Sequence, residues 1–180
     1  MNIFVGCSSR DVTDNVKWSR YCTATLEVTK FITAHKHTLV FGGCARGLMG
    51  LMYKCMLLNK ANIIVAIPQA YINDAEELFY SNLFDFNTVS ERKDWIFKNT
   101  SMHIFLPGGI GTIDELFSSI EAKRCGEHNS PIIIINEQGY FNDVLHVLAR
   151  VYDEGFADEK DAKLYTVCLL YTSPSPRDRT

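Results

Sequence analysis

The chain has 180 residues, of which 47% are hydrophobic, and its formal net charge is −3. That length suffices for one domain with a substantial core, and the charge balance excludes the basic surface that nucleic-acid-binding proteins carry. No apolar run reaches the roughly 18–20 residues of a membrane span, and the start of the chain lacks the cationic and long apolar regions of a signal peptide. We therefore expect a cytoplasmic protein with neither a nucleic-acid nor a membrane partner.

Short apolar runs alternate with longer amphipathic segments along the chain. The apolar runs are rich in β-branched residues, as strands buried on both faces are; they predict strands at Asn2–Cys7, Thr38–Phe41, Ile63–Ile67, Asp85–Val89, Met102–Leu106 and Ile132–Asn136. The segments between them predict helices at Asn15–His35, Gly47–Asn59, Arg92–Thr100, Ile113–Cys125 and Tyr140–Glu154. This alternation is typical of an α/β fold in which helices cover both faces of a parallel sheet.

The end of the chain departs from this pattern. We expect one domain over residues 1–168. Residues 169–180 contain two prolines and a polar end with no periodicity, which predicts a disordered tail. The segment also resembles translated adapter sequence, in which case it is artefactual.

The six cysteines form no CxxC pair and have no metal-like spacing to histidine. In a chain with an ample core and no export signal, reduced and mostly buried thiols are expected. The sequence therefore predicts neither a disulfide framework nor a metal site.

A glycine-rich loop at Gly42–Gly50 follows one predicted strand and opens a helix. Its spacing is GGxxxGxxG rather than GxGxxG, and the acidic residue that a dinucleotide site carries about 20 positions further on is missing, which argues against NAD. A P-loop signature is missing as well. The loop either binds a nucleotide or phosphate, or is only a tight strand-to-helix turn.

Arginine and lysine stand together in Ser90–Lys93, and the two side chains are suited to binding phosphate. Taken alone, the pair is more typical of a solvated helix start. A second glycine loop, Pro107–Glu115, has three glycines in four residues, then Thr112 and two carboxylates expected on the first turn of a helix. The N–H groups at a helix start favour an anion. Carboxylates beside an anion site predict chemistry on a phosphorylated small molecule.

Together these motifs resemble the LOG family of cytokinin riboside 5′-monophosphate phosphoribohydrolases, often labelled "lysine decarboxylase-like". The motifs are GGxxxGLMG at Gly42–Gly50, ERK at Glu91–Lys93 and PGGxGTxxE at Pro107–Glu115, in the family's order. The resemblance covers about residues 1–157. Three departures stand out, because Cys44 replaces a third glycine, Val89-Ser90 replaces Met-His, and Asp114 replaces a glutamate.

The resemblance implies a Rossmann-like three-layer fold, no cofactor, and a homodimer with active sites shared between subunits. It also implies hydrolysis of the N-glycosidic bond of AMP or an N6-modified AMP, which releases the free base and ribose 5-phosphate. The motif positions imply that Arg92 and Glu115 are catalytic. They imply the following substrate-binding residues: Gly43, Gly47, Arg92, Lys93, Gly108, Gly109, Ile110, Gly111, Thr112 and Asp114.

Two alternatives stay open. The first is a nucleotide-binding or carrier module of the same fold that does not turn its ligand over. The second is an amino-acid decarboxylase, which would usually need pyridoxal phosphate on a lysine, although neither glycine loop contains one. The residues that contact the base are expected within 71–86, with Asp74, Glu76 and Glu77 as candidates, and the preferred base is open.

Overall fold

The computed structural model describes residues 1–169, which form one parallel sheet with helices on both faces. The strands are β1 (Asn2–Gly6), β2 (Thr38–Phe41), β3 (Ile63–Pro68), β4 (Asn82–Phe86), β5 (Met102–Phe105), β6 (Ile132–Ile135) and β7 (Tyr165–Cys168). The helices are α1 (Asn15–Ala34), α2 (Gly47–Leu58), α3 (Val89–Asn99), α4 (Ile110–Arg124) and α5 (Asn142–Asp153). Short 3₁₀ turns lie at Gln69–Ala75, Glu137–Gly139 and Glu159–Lys163.

The strand order is β4-β3-β2-β1-β5-β6-β7, and every neighbouring pair is parallel. The chain winds from β1 to one edge, then returns to place β5 on the other side of β1. The sheet therefore has its topological switch point between β1 and β5. In sheets of this kind, ligands bind in the crevice outside the carboxyl ends of the strands at that point.

Side chains of successive strand residues point to opposite faces, and each face has its own core. Ile3 and Val5 pack with α1 and α2 on one face. Phe4 and Phe105 pack with α3, α4 and α5 on the other. The three-layer α/β fold expected from the alternation of elements is confirmed.

The predicted bounds were wrong where a helix begins beside a β-branched residue. Strand β4 lies three residues before the predicted Asp85–Val89, and α3 begins at Val89. The Thr88 hydroxyl accepts the Glu91 N–H at 3.1 Å, and the Glu91 carboxylate accepts the Asn87 N–H at 3.0 Å. This reciprocal capping starts the helix there and gives the glutamate of ERK a structural role.

Helix α4 also begins three residues early, at Ile110 rather than Ile113, with Gly109 as its N-cap. Asp114 and Glu115 therefore lie on the second turn, and their prediction on the first turn was wrong. The helix can start inside the motif because glycine and threonine are tolerated in a first turn whose N–H groups have no intrahelical acceptor.

The sequence analysis missed strand β7, which pairs with β6, is half-exposed and forms the edge of the sheet within the described residues. Its four residues follow a 3₁₀ turn and have little apolar periodicity. Helix α5 starts two residues later than predicted, because Gln138 and Gly139 adopt positive φ angles just before it. The predicted tail lies outside the described residues, except for Leu169.

The cysteines among the described residues are all free thiols. Only Cys7 and Cys44 are buried, so the expectation that most are buried was wrong. Within residues 1–169, no group of three His, Cys, Asp or Glu side chains is placed to hold a metal ion. No helix in the same range is long and apolar enough to cross a membrane.

Candidate active site

A buried ion pair joins α3 to α4 at the carboxyl end of the sheet. Arg92 Nη1 lies 2.5 Å from Glu115 Oε1, and the two side chains are only 7% and 8% exposed. Arg92 Nε donates to the carbonyl of Ala66 at 2.7 Å. That carbonyl is accessible because the pairing of β2 with β3 ends at Phe41 and Val65. The guanidinium also lies 6.0 Å from the centre of the Phe4 ring.

The remaining polar atoms of this pair face the ends of the central strands. A Cβ placed on Gly6, the last residue of β1, would lie 3.0 Å from Glu115 Oε2. A Cβ on Gly42, just after β2, would lie 3.4 Å from Arg92 Nη2. Within the described part of the chain, neither Oε2 nor Nη2 has a hydrogen-bond partner. Each partner of the ion pair therefore keeps one atom available for a ligand in the crevice.

The N-terminus of α4 forms the adjacent part of the site. Among residues 1–169, no acceptor is found for the N–H groups of residues 109–112, and the first intrahelical bond joins the Ile113 N–H to the Gly109 carbonyl at 3.2 Å. Cβ atoms on Gly109 and Gly111 would meet nothing within 4 Å. Ile110 between them is 89% exposed. This helix end is open and suited to an anion.

Glu115 lies four residues after Gly111, so the two share a helix face one turn apart. The carboxylate is therefore about 5–6 Å along the helix from the open N–H groups. An anion at the start of α4 and a reacting atom beside Glu115 would both belong to one small ligand.

The first glycine loop packs against the loop that follows β1. The Met49 N–H near the start of α2 donates to the Ser8 carbonyl at 3.1 Å. Gly43 and Gly47 have φ angles of +76° and +63°, which favour glycine. A Cβ on Gly47 would lie 2.6 Å from the Ser8 carbonyl oxygen, and one on Gly43 would lie 2.6 Å from Val65 Cγ1. These glycines therefore shape the loop, and their contact with substrate stays a prediction.

Lys93 points away from the Arg92–Glu115 pair. Its ammonium nitrogen lies 2.9 Å from both carboxylate oxygens of Asp114 and 2.9 Å from the Ser118 hydroxyl. This ion pair gives Asp114, the second carboxylate of the motif, a structural role, because it links α4 to α3. A substrate role for Lys93 and Asp114 stays a prediction.

Two further groups border the crevice. Burial, then the Glu115 carboxylate and then Cys44 raise the pKa of the Cys7 thiol far above its usual value. Cys7 is therefore a neutral thiol and a poor nucleophile. Arg46 lies 3.7 Å from Asp74 and ties the 3₁₀ turn after β3 to the first glycine loop. The other predicted acidic candidates, Glu76 and Glu77, are exposed.

The structure brings Arg92, Glu115, Gly109, Gly111 and Thr112 to one end of the sheet. Gly6 opens a motif-bearing loop, Gly6–Arg10, that the sequence also placed at the end of a strand, but it was not among the predicted site residues. Sequence reasoning also missed Tyr140, whose hydroxyl donates a hydrogen bond to the Gly108 carbonyl. The sequence feature that could have pointed to Tyr140 is the Gly139-Tyr140 turn soon after the predicted strand Ile132–Asn136.

A family model described as "Possible lysine decarboxylase" matches residues 49–171. The chain is 32% identical over 150 residues to the probable cytokinin riboside 5′-monophosphate phosphoribohydrolase LOG4 of Oryza sativa subsp. japonica, a match that covers 82% of this chain. It is 30% identical over 139 residues to the cytokinin riboside 5′-monophosphate phosphoribohydrolase LOG1 of Arabidopsis thaliana, which covers 76% of this chain. The chain spans 64% of the length of each relative.

Among solved structures, the Moco carrier protein of Chlamydomonas reinhardtii superposes with a TM-score of 0.63. The match covers 93% of this chain and 88% of that protein at 18% identity. At that identity the likeness concerns the fold, and it agrees with the three-layer architecture described above.

Proposed function

Because this chain belongs to the LOG family, we propose that it hydrolyses the N-glycosidic bond of AMP or an N6-modified AMP to the free base and ribose 5-phosphate. One observation carries the proposal. A buried Arg92–Glu115 pair with outward-facing atoms lies one helical turn from the start of α4, where the N–H groups of residues 109–112 have no acceptor among residues 1–169. That spacing suits a ligand with a phosphate at one end and a reacting sugar carbon at the other.

In this proposal the 5′-phosphate binds at the start of α4. The N–H groups of Gly109, Ile110 and Gly111 donate to its oxygens, and the helix dipole adds to the attraction. The glycines leave room for the phosphate because no Cβ occupies that side of the loop. Thr112 is buried at 5% exposure, and its N–H completes the anion site.

Glu115 then faces the ribose. The N-glycosidic bond breaks through a transition state with positive charge on the anomeric carbon and ring oxygen. The Glu115 carboxylate stabilises that charge and orients or deprotonates the attacking water. Arg92 holds Oε1 of Glu115, so that Oε2 is left for this work, and its own Nη2 contacts the ribose or the phosphate. Since Gly6 and Gly42 lack side chains, the substrate can approach both atoms.

The homodimer with shared active sites, the cytoplasmic location and the contact residues of the base within 71–86 are part of the same proposal. The mass of the protein in solution, measured by light scattering, tests the homodimer. A monomer at working concentration would contradict it.

The decarboxylase alternative finds little support in the site. Lys93 is the sole lysine in the three motifs, and Asp114 and Ser118 occupy its amine. A Schiff base would require that amine to leave both partners and cross to the crevice. The carrier alternative has the same fold and differs only in turnover.

The test incubates purified protein with AMP, with N6-isopentenyl-AMP and with adenosine, and separates the products by liquid chromatography. We expect free base and ribose 5-phosphate in equal amounts from one or both nucleotides, and little base from adenosine because it lacks the phosphate. Tight binding of AMP with no base released would overturn the proposal in favour of a carrier. In a parallel incubation with an amino acid, release of carbon dioxide would favour the decarboxylase.

A further inference from the structure

We propose that Tyr140 is a positioning residue that fixes the orientation of the Gly108–Gly109 peptide, so that its N–H is presented to the phosphate of the substrate. This inference rests on the proposed function and concerns the same site. Tyr140 lies just after the 3₁₀ turn that follows β6, outside the three motifs that carry the family resemblance. Its hydroxyl donates to the Gly108 carbonyl across 32 residues of sequence.

Because the peptide is planar, this hydrogen bond also sets the direction of the Gly109 N–H. The described residues contain no cis peptide bonds, so the C=O of Gly108 and the N–H of Gly109 point in opposite directions. With the carbonyl held by Tyr140, the N–H points away from Tyr140, and within residues 1–169 it has no acceptor. The preceding carbonyl, that of Pro107, is held in turn by the Ser8 N–H at 3.0 Å.

The packing around Gly108 shows which side of the loop is closed. A Cβ there would lie 2.1 Å from Thr112 Oγ1 and 3.0 Å from the backbone carbon of Cys7. The neighbouring Gly109 is exposed and has open space instead. The Gly108 carbonyl, which accepts from Tyr140, and the Gly109 N–H, which has no acceptor among residues 1–169, therefore lie on opposite sides of one peptide. Without the Tyr140 hydroxyl, the peptide could turn its carbonyl toward the open side, where it would repel a phosphate.

Tyr140 is itself held in place. Its ring packs edge-on against Tyr21 at 5.8 Å and against Phe141 at 4.9 Å between centroids. The buried Asn136 side chain accepts the Phe141 N–H at 2.8 Å and donates to Asn142 at 2.9 Å. The turn that carries Tyr140 is thus anchored independently of the phosphate loop, as a positioning residue requires.

The test compares wild type with Y140F, which keeps the ring and removes only the hydroxyl. The control is Y152F, because the Tyr152 hydroxyl lies next to Tyr165 of β7 rather than next to the phosphate loop. Calorimetry gives the dissociation constants of ribose 5-phosphate and of adenosine, and AMP turnover gives kcat and KM. Thermal unfolding shows that each variant is folded.

Loss of one hydrogen bond predicts that Y140F binds ribose 5-phosphate roughly tenfold more weakly. KM for AMP should rise by a similar factor with kcat within about twofold, while adenosine affinity and Y152F stay at wild-type values. Unchanged affinity for ribose 5-phosphate in Y140F would overturn the inference, as would equal weakening of both ligands or no binding of ribose 5-phosphate by wild type. Should wild type release no base from AMP, the proposed function fails, and the ribose 5-phosphate affinities still decide the role of Tyr140.

Discussion

Replacing Glu115 by glutamine tests the centre of the proposed site. Glutamine has the same shape and keeps an oxygen that accepts from Arg92 Nη1, but it removes the negative charge. Arg92 is then left buried, with its side chain 7% exposed and no counter-charge. Loss of one partner of a buried ion pair costs about 3–5 kcal/mol, and we expect the lower end because the hydrogen bond survives. For a chain of this length, about 3 kcal/mol lowers Tm by roughly 6–12 °C.

Catalysis should fall much further than stability. Removal of one positioned acid–base group typically lowers the rate by about 10²–10⁴-fold. The assay follows base release from AMP well below the Tm of the variant, with circular dichroism to show that the protein is folded. The matched control is E121Q on the same helix, where the side chain is 58% exposed and paired with Arg124. That pair is exposed and screened by solvent, so both activity and Tm should stay near wild type.

A double variant separates the two effects. R92M/E115Q removes both charges of the pair, and neutral replacement of a buried ion pair is often harmless to stability. We expect Tm to recover toward wild type while base release stays abolished. A folded E115Q protein with more than a tenth of wild-type activity would refute the assignment of Glu115. Activity that returned with the Tm of the double variant would show that the pair only stabilises the fold.

Two further predictions concern the loop and the core. G108A places a Cβ 2.1 Å from Thr112 Oγ1 and should lower the free energy of unfolding in urea. In G111A the new Cβ meets no atom within 4 Å and the helix gains up to about 1 kcal/mol of propensity, so that variant should stay stable but have a higher KM for AMP. Equal stability of the two variants would contradict this. Burial, His128 and Lys123 lower the pKa of His103 to about 3. Because the unfolded chain takes up the proton near pH 6.5, stability should be full above that pH and fall by up to about 1.4 kcal/mol per unit below it, toward pH 3. A urea midpoint that is unchanged between pH 7.5 and 5.5 would contradict the second prediction.

The pattern of apolar runs predicted six of the seven strands, and the helices between them, because parallel strands buried on both faces are continuously apolar and leave a clear signal. The signal failed at β7, which is half-exposed at the edge of the sheet. It failed at the start of α3 as well, where Val89 reads as a strand residue. The Thr88 and Glu91 side chains form the cap that starts the helix, and local hydrogen bonds of this kind outweigh β-propensity.

The sequence alone determined the α/β class and the glycine loops, since both depend on local composition and spacing, and the resemblance of its motifs to a known family implied the candidate pair Arg92 and Glu115. Only the tertiary structure decided which glycine loop is open to an anion. At the start of α2, the Met49 N–H is bonded to the Ser8 carbonyl and Gly47 packs against the backbone of Ser8. At the start of α4, Gly109 and Gly111 face open space, and the N–H groups of residues 109–112 have no acceptor within the described residues. The tertiary structure also decided that Asp114 pairs with Lys93 and Glu115 with Arg92. These pairings join residues more than twenty positions apart, so they depend on how α3 and α4 pack over the ends of the strands, which no local pattern encodes.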